Sequence, residues 1–334
     1  MSLKVKRSFK IDKYHKLELD KKGIGIDFGD KNLFDILSGY IKISDDFNID
    51  NYKKLNIEDY IKSAESLSEY IKEIVNLHKK CGEKINWNSI TQIKQPFDCG
   101  EDGPNKLKAQ EYYENYTPSL LEKIFKFLSE KRKNELFKRI KEAEKEDNES
   151  LENFKKLKEF ACSIVDGNID SYFQLIDSIM PFYNLVNYGS TIEFGTNDKD
   201  SIEIEFNANS KEVVPNVMYY EDENGIMIKG TTDTASYYDN VQDYVCSATI
   251  MIAKKVMNLL PVKKVVVHVV DNVKDYETGV NRDITILSVV FDRETLEKLN
   301  LKSMESTFAL DNFICNMRHQ KATGFKSVER ITQY

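Results

Sequence analysis

The chain has 334 residues, 41% hydrophobic and 31% charged, with a net charge of −7. That length gives room for one large domain or two to three small ones. The acidic balance argues against a protein that coats nucleic acid without sequence preference.

No apolar run is long enough to cross a bilayer, and MSLKVKRSFKID has no apolar block behind its basic residues. Neither a membrane partner nor a secretory signal is therefore expected. Five scattered cysteines (Cys81, Cys99, Cys162, Cys246, Cys315) suit a reducing cytosol better than a disulfide framework. Residues 1–22 hold eight basic against three acidic residues, so the charge is unevenly spread. Only seven of the 48 basic residues are arginine, and lysine lacks the planar fork that reads phosphates and bases in pairs. The basic N-terminus is thus a weak pointer to a nucleic-acid partner.

Taken in order, residues 3–29 read as short strands: Val5, Phe9 and Ile11 are spaced about two apart, Leu17 and Leu19 alternate with charges, and Ile24, Ile26 and Phe28 alternate again up to Gly29. The pattern Val5-Lys6-Arg7-Ser8-Phe9-Lys10-Ile11, then Leu17 to Ile26, then Gly29, resembles a small bacterial domain of unknown function. That family opens with R-x-F-K-I, continues with L-x-L-S-K-x-G-I, and closes on a glycine. Here Asp20 stands in place of the serine, and Asp12 to His15 in place of a Pro-Gly turn. The resemblance implies a cytosolic bacterial protein and brings no activity with it. Ile24 to Asp30 is also similar to the first phosphate loop of the actin and heat-shock ATPase superfamily. The second glycine-rich loop and the adenosine motif that superfamily needs are missing.

From Asn56, with Asp59 three residues on as a capping box, a helix is expected, with Tyr60, Ile61, Ala64, Leu67, Ile71, Ile74 and Val75 on one face and Gly82 as its stop. Residues 83–105 read as loop, with Trp87 as a packing anchor. Thr117-Pro118 is expected to open a long helix to about Glu146, and Ser150 to Val165 a second, together an antiparallel hairpin over 118–165. Between Glu122 and Glu159 twelve basic and ten acidic residues intermix, which marks a solvated face. Such a projecting hairpin offers a surface for a protein partner or for self-association.

A short helix over 167–184 is followed by strands at 191–194, 202–206, 213–219 and 225–228. Glu203 and Glu205 alternate with Ile202, Ile204 and Phe206, which gives one wet face. Tyr244 to Leu260 is apolar on nearly every side and reads as a buried helix ended by Pro261. Val265 to Val270 is a β-branched run without alternation, a strand covered on both faces. A thirteen-residue polar connection leads to a second strand, Ile284 to Phe291, and Asp292 caps a helix near Arg293. A last helix is expected over Phe308–Met317, before a basic tail. The expected fold is α+β: a small N-terminal β module (1–50), a helical region (51–188) carrying the hairpin, and a C-terminal mixed sheet with packed helices (189–334).

No complete catalytic motif is present, which favours a non-catalytic cytoplasmic adaptor or assembly module without cofactor. The alternative is a metal-dependent enzyme on nucleic acid or a nucleotide. Asp271 and Asp283, at the ends of neighbouring strands, would hold Mg²⁺ or Mn²⁺ through oxygen ligands, with Glu203 and Glu205 as further catalytic carboxylates. Lys6, Arg7, Arg282, Arg318 and Lys321 would hold phosphates. The bland reading makes the two aspartates the ends of a polar hairpin and leaves both glutamates in solvent. His268 reads as a hydrogen-bonded core residue, and His78-x-x-Cys81 as a helix end rather than part of a zinc site. The hydroxyl-rich segment Thr231–Asp239 is either a helix entry with several possible caps or, with the 271–283 loop, one wall of a polar site.

Overall fold

In a computed structural model the chain is described at residues 3, 7–11, 33–38, 61, 63–179, 182–223, 227–274 and 280–333. In chain order the first elements are β1 (Arg7–Ile11), α1 (Leu33–Ser38), α2 (Ala64–Ile74), α3 (Trp87–Thr91), α4 (Pro104–Glu114), α5 (Leu120–Ile124) and α6 (Lys126–Asp166). There follow α7 (Ile169–Ile179), α8 (Tyr183–Asn187), β2 (Thr191–Thr196), β3 (Ser201–Asn207), α9 (Ser210–Val213), β4 (Met218–Glu221) and β5 (Met227–Gly230). The last are α10 (Thr234–Leu259), β6 (Lys264–Lys274), β7 (Asn281–Asp292), α11 (Arg293–Lys298), α12 (Ser306–Leu310), β8 (Ile314–Met317), β9 (His319–Gln320) and β10 (Gly324–Phe325).

The class is α+β, as expected. The three consecutive segments are not. Two compact units form instead, one from Met1–Gly25, Ile41–Ile85 and Gly167–Tyr334, the other from Ile26–Tyr40 and Asn86–Asp166. β1 is the edge strand of the main sheet, antiparallel to β2, and the rest of the expected meander lies outside the described residues.

The first unit is built on a six-stranded mixed sheet in the order β1-β2-β3-β6-β7-β8, with only β3 and β6 parallel. Period-two alternation sorts its side chains. Ile192, Phe194, Ile202, Ile204, Phe206, Val265, Val267, Val269, Leu287 and Val289 share one buried face. α10 packs against β6, with Tyr244 donating from its buried hydroxyl to the Ala208 carbonyl at 3.0 Å. It is buried from Tyr244 to Leu259 apart from half-buried Lys254, and Asp233 caps its start by accepting from the Ser236 amide at 3.0 Å. Val265 to Val270 is buried on both faces, as its β-branched run predicts.

Three local expectations are corrected. The helix expected from Asn56 begins at Ala64 under a reciprocal Ser63–Ser66 cap; Asn56 and Asp59 lie outside the described residues. Residues 210–213 form a helical turn, and the strand after them starts only at Met218. The helix expected over 308–317 stops at Leu310, and Ile314–Met317 joins the sheet as β8, where Val289 and Val290 pair with Cys315 and Ile314.

After α2 comes a short 3₁₀ turn, Leu77–Lys79, that buries His78. Its Nε2 lies 3.0 Å from the Met304 carbonyl, which can only accept, so Nε2 carries the proton and Nδ1 accepts from the Ser247 hydroxyl at 2.8 Å. Cys81 donates from its thiol to the His78 carbonyl, so both residues are satisfied within the chain. Burial holds the His78 pKa below the ordinary imidazole value, and burial lowers His319 likewise. A folded pKa below the unfolded one means that the folded state binds fewer protons in that window. Stability is then fully present above about pH 6.5 and lost as pH falls. Urea melts at falling pH are expected to show this loss from neutrality down to mildly acidic buffer, and His78→Asn to flatten part of the slope. An unchanged slope in the variant would remove His78 as its source.

The second unit corrects the helical hairpin. Residues 126–166 are one helix of 41 residues, about 60 Å long at 1.5 Å per residue. The break expected near 147–149 lacks a glycine or proline, and Glu-Asp-Asn-Glu simply continues the helix. Ser119, not Thr117, caps what precedes it, accepting from the Glu122 amide while Glu122 accepts from the Ser119 amide. An antiparallel pair does exist, but between α4 and the first part of α6. Lys106 near the start of α4 pairs with Glu144 at 2.7 Å, and Tyr113 near its end meets Phe137 edge-on at 6.5 Å. Trp87 is buried as expected, edge-on to Phe160 at 5.9 Å.

Candidate functional site

The four candidate carboxylates do not converge. β6 and β7 run on through most of the expected loop, pairing Asp271 with Ile284 and Asn272 with Asp283. Cross-strand partners share a face and neighbours alternate, so Asp271 and Asp283 point to opposite sides of the sheet. They cannot grip one ion. Asp271 is buried and accepts from the amide and hydroxyl of Ser210 and from the Asn272 amide at 3.0 Å. Burial pushes its carboxyl up, and the Ser210 hydrogen bonds pull against that. Asp283 is exposed and accepts from the Asn272 side-chain amide at 2.7 Å. Among the described residues no group of three or more His, Cys, Asp or Glu is placed to hold a metal.

Glu203 and Glu205 are neither catalytic partners of Asp271 nor solvated. They lie on the face of the sheet away from α10, where register aligns Lys10, Glu193, Glu205, His268, Ser288 and Asn316 across the six strands. Glu203 accepts from His268 Nε2 at 3.1 Å, and His268 Nδ1 lies 2.9 Å from the Ser288 hydroxyl. Glu205 pairs with Arg330 at 2.6 Å, and Arg330 donates from Nε to the Thr285 hydroxyl at 3.1 Å. The segment around Arg330 runs over this face: the Val328 amide donates to the Thr285 carbonyl at 2.9 Å, the Ile331 amide to the Ser288 hydroxyl at 3.0 Å. The row looks like a proton relay, yet Glu203, Glu205, His268, Ser288 and Asn316 all bond to the chain itself, and Lys10 at the sheet's edge is exposed. The central part of the row is a half-buried seam that holds down the strap of residues 328–331.

The basic candidates are equally scattered. Lys6 lies outside the described residues, and Arg7 sits opposite Thr196 in β1. Arg282 pairs across from Val273, Arg318 is exposed between β8 and β9, and Lys321 pairs with Asp239 at 2.9 Å.

The structure does bring the 231–239 and 271–283 segments together. Tyr237, Tyr238 and Val241 face Ser210, Lys211, Asp271, Asn272 and Val273 across a small open cleft. Burial, then the nearby Asp271, push the Tyr237 phenol above its ordinary value. Because the Asp271 oxygens are occupied by Ser210 and Asn272, the cleft offers little free chemistry. One wall rests on Gly324, whose φ is +70° and where an added Cβ would stand 2.6 Å from the Tyr238 ring. Gly324→Ala is expected to cost about 1–2 kcal/mol for the left-handed backbone alone and more for the ring contact. Urea unfolding would read it as a lower midpoint at unchanged slope, and an unchanged midpoint would show that the wall gives way freely.

The second unit carries the feature that sequence reading missed. Leu120, Leu121, Ile124, Phe125 and Phe127 fall within eight residues and all are exposed, Leu120 to 80% and Ile124 to 70%. In the sequence this run (LLEKIFKF) differs little from the start of any buried helix; its exposure sets it apart. α5 ends at Phe125, whose backbone leaves the helical range, and α6 starts at once. Apolar side chains therefore point several ways from this end instead of forming one stripe that α4 could cover.

No family model, curated protein or solved structure matches the chain. Fold and geometry define it as an α+β protein with a mixed sheet and a long helix preceded by a short helix whose apolar residues are exposed. Among the described residues no helix is long and apolar enough to cross a membrane.

Proposed function

We propose that the chain is a non-catalytic assembly module of the cytoplasm that docks a protein partner through the end formed by α5 and the start of α6. The observation that carries this is the exposed run from Leu120 to Phe127. Large apolar side chains clustered and exposed within a few residues mark interaction sites, and aromatic anchors are among the side chains that dominate binding energy. The carboxylates that an enzyme reading would need are committed to Ser210, His268 and Arg330. Five free cysteines fit a reducing compartment.

A photo-crosslinking residue, p-benzoylphenylalanine, placed at Leu121 in expressing cells tests the reading. Discrete protein adducts are expected from position 121 and not from position 145, whose lysine is exposed too. No adduct from 121 would remove the docking surface.

A further inference from the structure

Resting on that docking surface, we infer that its partner is acidic: a protein segment that sets carboxylates beside apolar anchors on the first part of α6. With about 3.6 residues per turn, one side of the helix over residues 126–141 gathers Lys126, Lys131, Lys133, Lys138 and Lys141 around Phe127 and Phe137. All of these residues are exposed, and Glu130 is the one carboxylate on that side. Each phenylalanine has a lysine one turn on, Lys131 after Phe127 and Lys141 after Phe137. Lys141 Nζ stands 5.1 Å from the Phe137 ring centre. Tyr113 of α4 meets the same ring edge-on, and its neighbour Tyr112 is exposed as well.

The charges of α6 are not balanced alike along its length. Further on, Glu142, Glu144, Glu149 and Glu152 pair with Lys138, Lys106, Lys145 and Lys156. Among the described residues Lys126, Lys131, Lys133 and Lys141 have no carboxylate within ion-pair distance. Uncompensated positive charge and apolar surface thus occur together in a chain whose net charge is −7, and complementary potential is what selects a partner. Other anionic surfaces suit the geometry less well. Arg132 and Arg139, the residues that grip phosphates in pairs, lie on the opposite side of the helix, and Arg132 is held by Glu135 at 3.2 Å. A lipid surface wants its apolar side chains on one face, whereas those at the break between α5 and α6 point several ways.

Fluorescence anisotropy of the full chain with three labelled peptides of one design, Leu and Phe interleaved with Glu, with Gln or with Lys, tests this. The Glu peptide is expected to bind about tenfold more tightly than the Gln peptide at low salt, because exposed ion pairs are individually weak and several must act together. High salt should erase that margin. Lys131→Glu/Lys133→Glu/Lys141→Glu should turn the preference to the Lys peptide, a gain that an unfolded variant would not show. Phe127→Ser/Phe137→Ser should weaken the Glu and Gln peptides alike. Equal binding of the Glu and Gln peptides to the wild type overturns the acidic partner and leaves the docking surface standing. Binding of none of the three overturns it as well, and the adducts from position 121 then decide whether the docking surface stands. Binding of an oligothymidylate or of phosphatidylserine vesicles, without preference for the Glu peptide, overturns it in favour of nucleic acid or lipid.

Discussion

Asp147→Ala is expected to lower the unfolding free energy of the second unit by about 3 kcal/mol, from two charge-assisted hydrogen bonds lost together. Asp147 is buried in the middle of α6, and its carboxylate accepts from the amides of Asn105 at 3.2 Å and Lys106 at 2.8 Å. Those amides open α4, whose N-cap is Gly103, a residue with no side chain to satisfy them. No capping side chain has room there, since a Cβ on Gly103 would lie 2.3 Å from the Asp147 carboxyl carbon. The cap is therefore supplied from another helix, with a negative charge at the positive end of the α4 dipole. Asp147→Asn keeps the shape with one acceptor and should lose about half as much. Fluorescence of Trp87, the single tryptophan, buried in the same unit, reports this unfolding directly. A loss below about 0.5 kcal/mol, the level of an ordinary surface change, would show that water caps α4 equally well.

Breaking the Glu205–Arg330 pair is expected to cost about 2–3 kcal/mol, within the range for charged hydrogen bonds that are mostly shielded from water. Both side chains keep only 17–18% of their surface exposed, which places the pair between the weak surface and the strong buried cases. Glu205→Gln, Arg330→Gln and the double variant form a cycle whose coupling isolates the pair. Amide exchange gives an independent reading. The Val328 and Ile331 amides, bonded to Thr285 and Ser288, should exchange much faster in Glu205→Gln than in the wild type. Equal exchange would mean that the strap is held by its backbone contacts alone.

What could be read from the residues followed periodicity. Tyr244 to Leu260 and Val265 to Val270 were legible because burial on every side removes alternation, and both proved central. Asp292 was legible as a cap because its side chain acts on Thr295, three residues away. Long-range pairing leaves no local trace. Nothing in Arg7 to Ile11 says that its partner is Thr191–Thr196, so it reads as a separate module. The loop between the two core strands was overestimated because Asn272, Arg282 and Asp283 are polar, yet they pair as β6 and β7 extend. α4 escaped notice because its apolar residues share no helical face, and Asp147, its cap, lies far along the chain. The exposed run at Leu120 escaped for the opposite reason. Its composition is that of a core, and only the missing layer makes it a surface.

The topology of the sheet also dictates an order of events during synthesis. β1 must wait for β2, which follows after more than half the chain has been made, and β3 must wait for β6 beyond α9, β4, β5 and α10. Pairings of such sequence separation close slowly, because the entropy of the intervening chain is lost before any contact rewards it. The helices between Asn86 and Asp166 form from one nearly continuous stretch and need no such delay. A ribosome therefore releases the docking end early, while the apolar faces of β2 and β3 still lack a partner, and this interval is when the nascent chain most needs a chaperone.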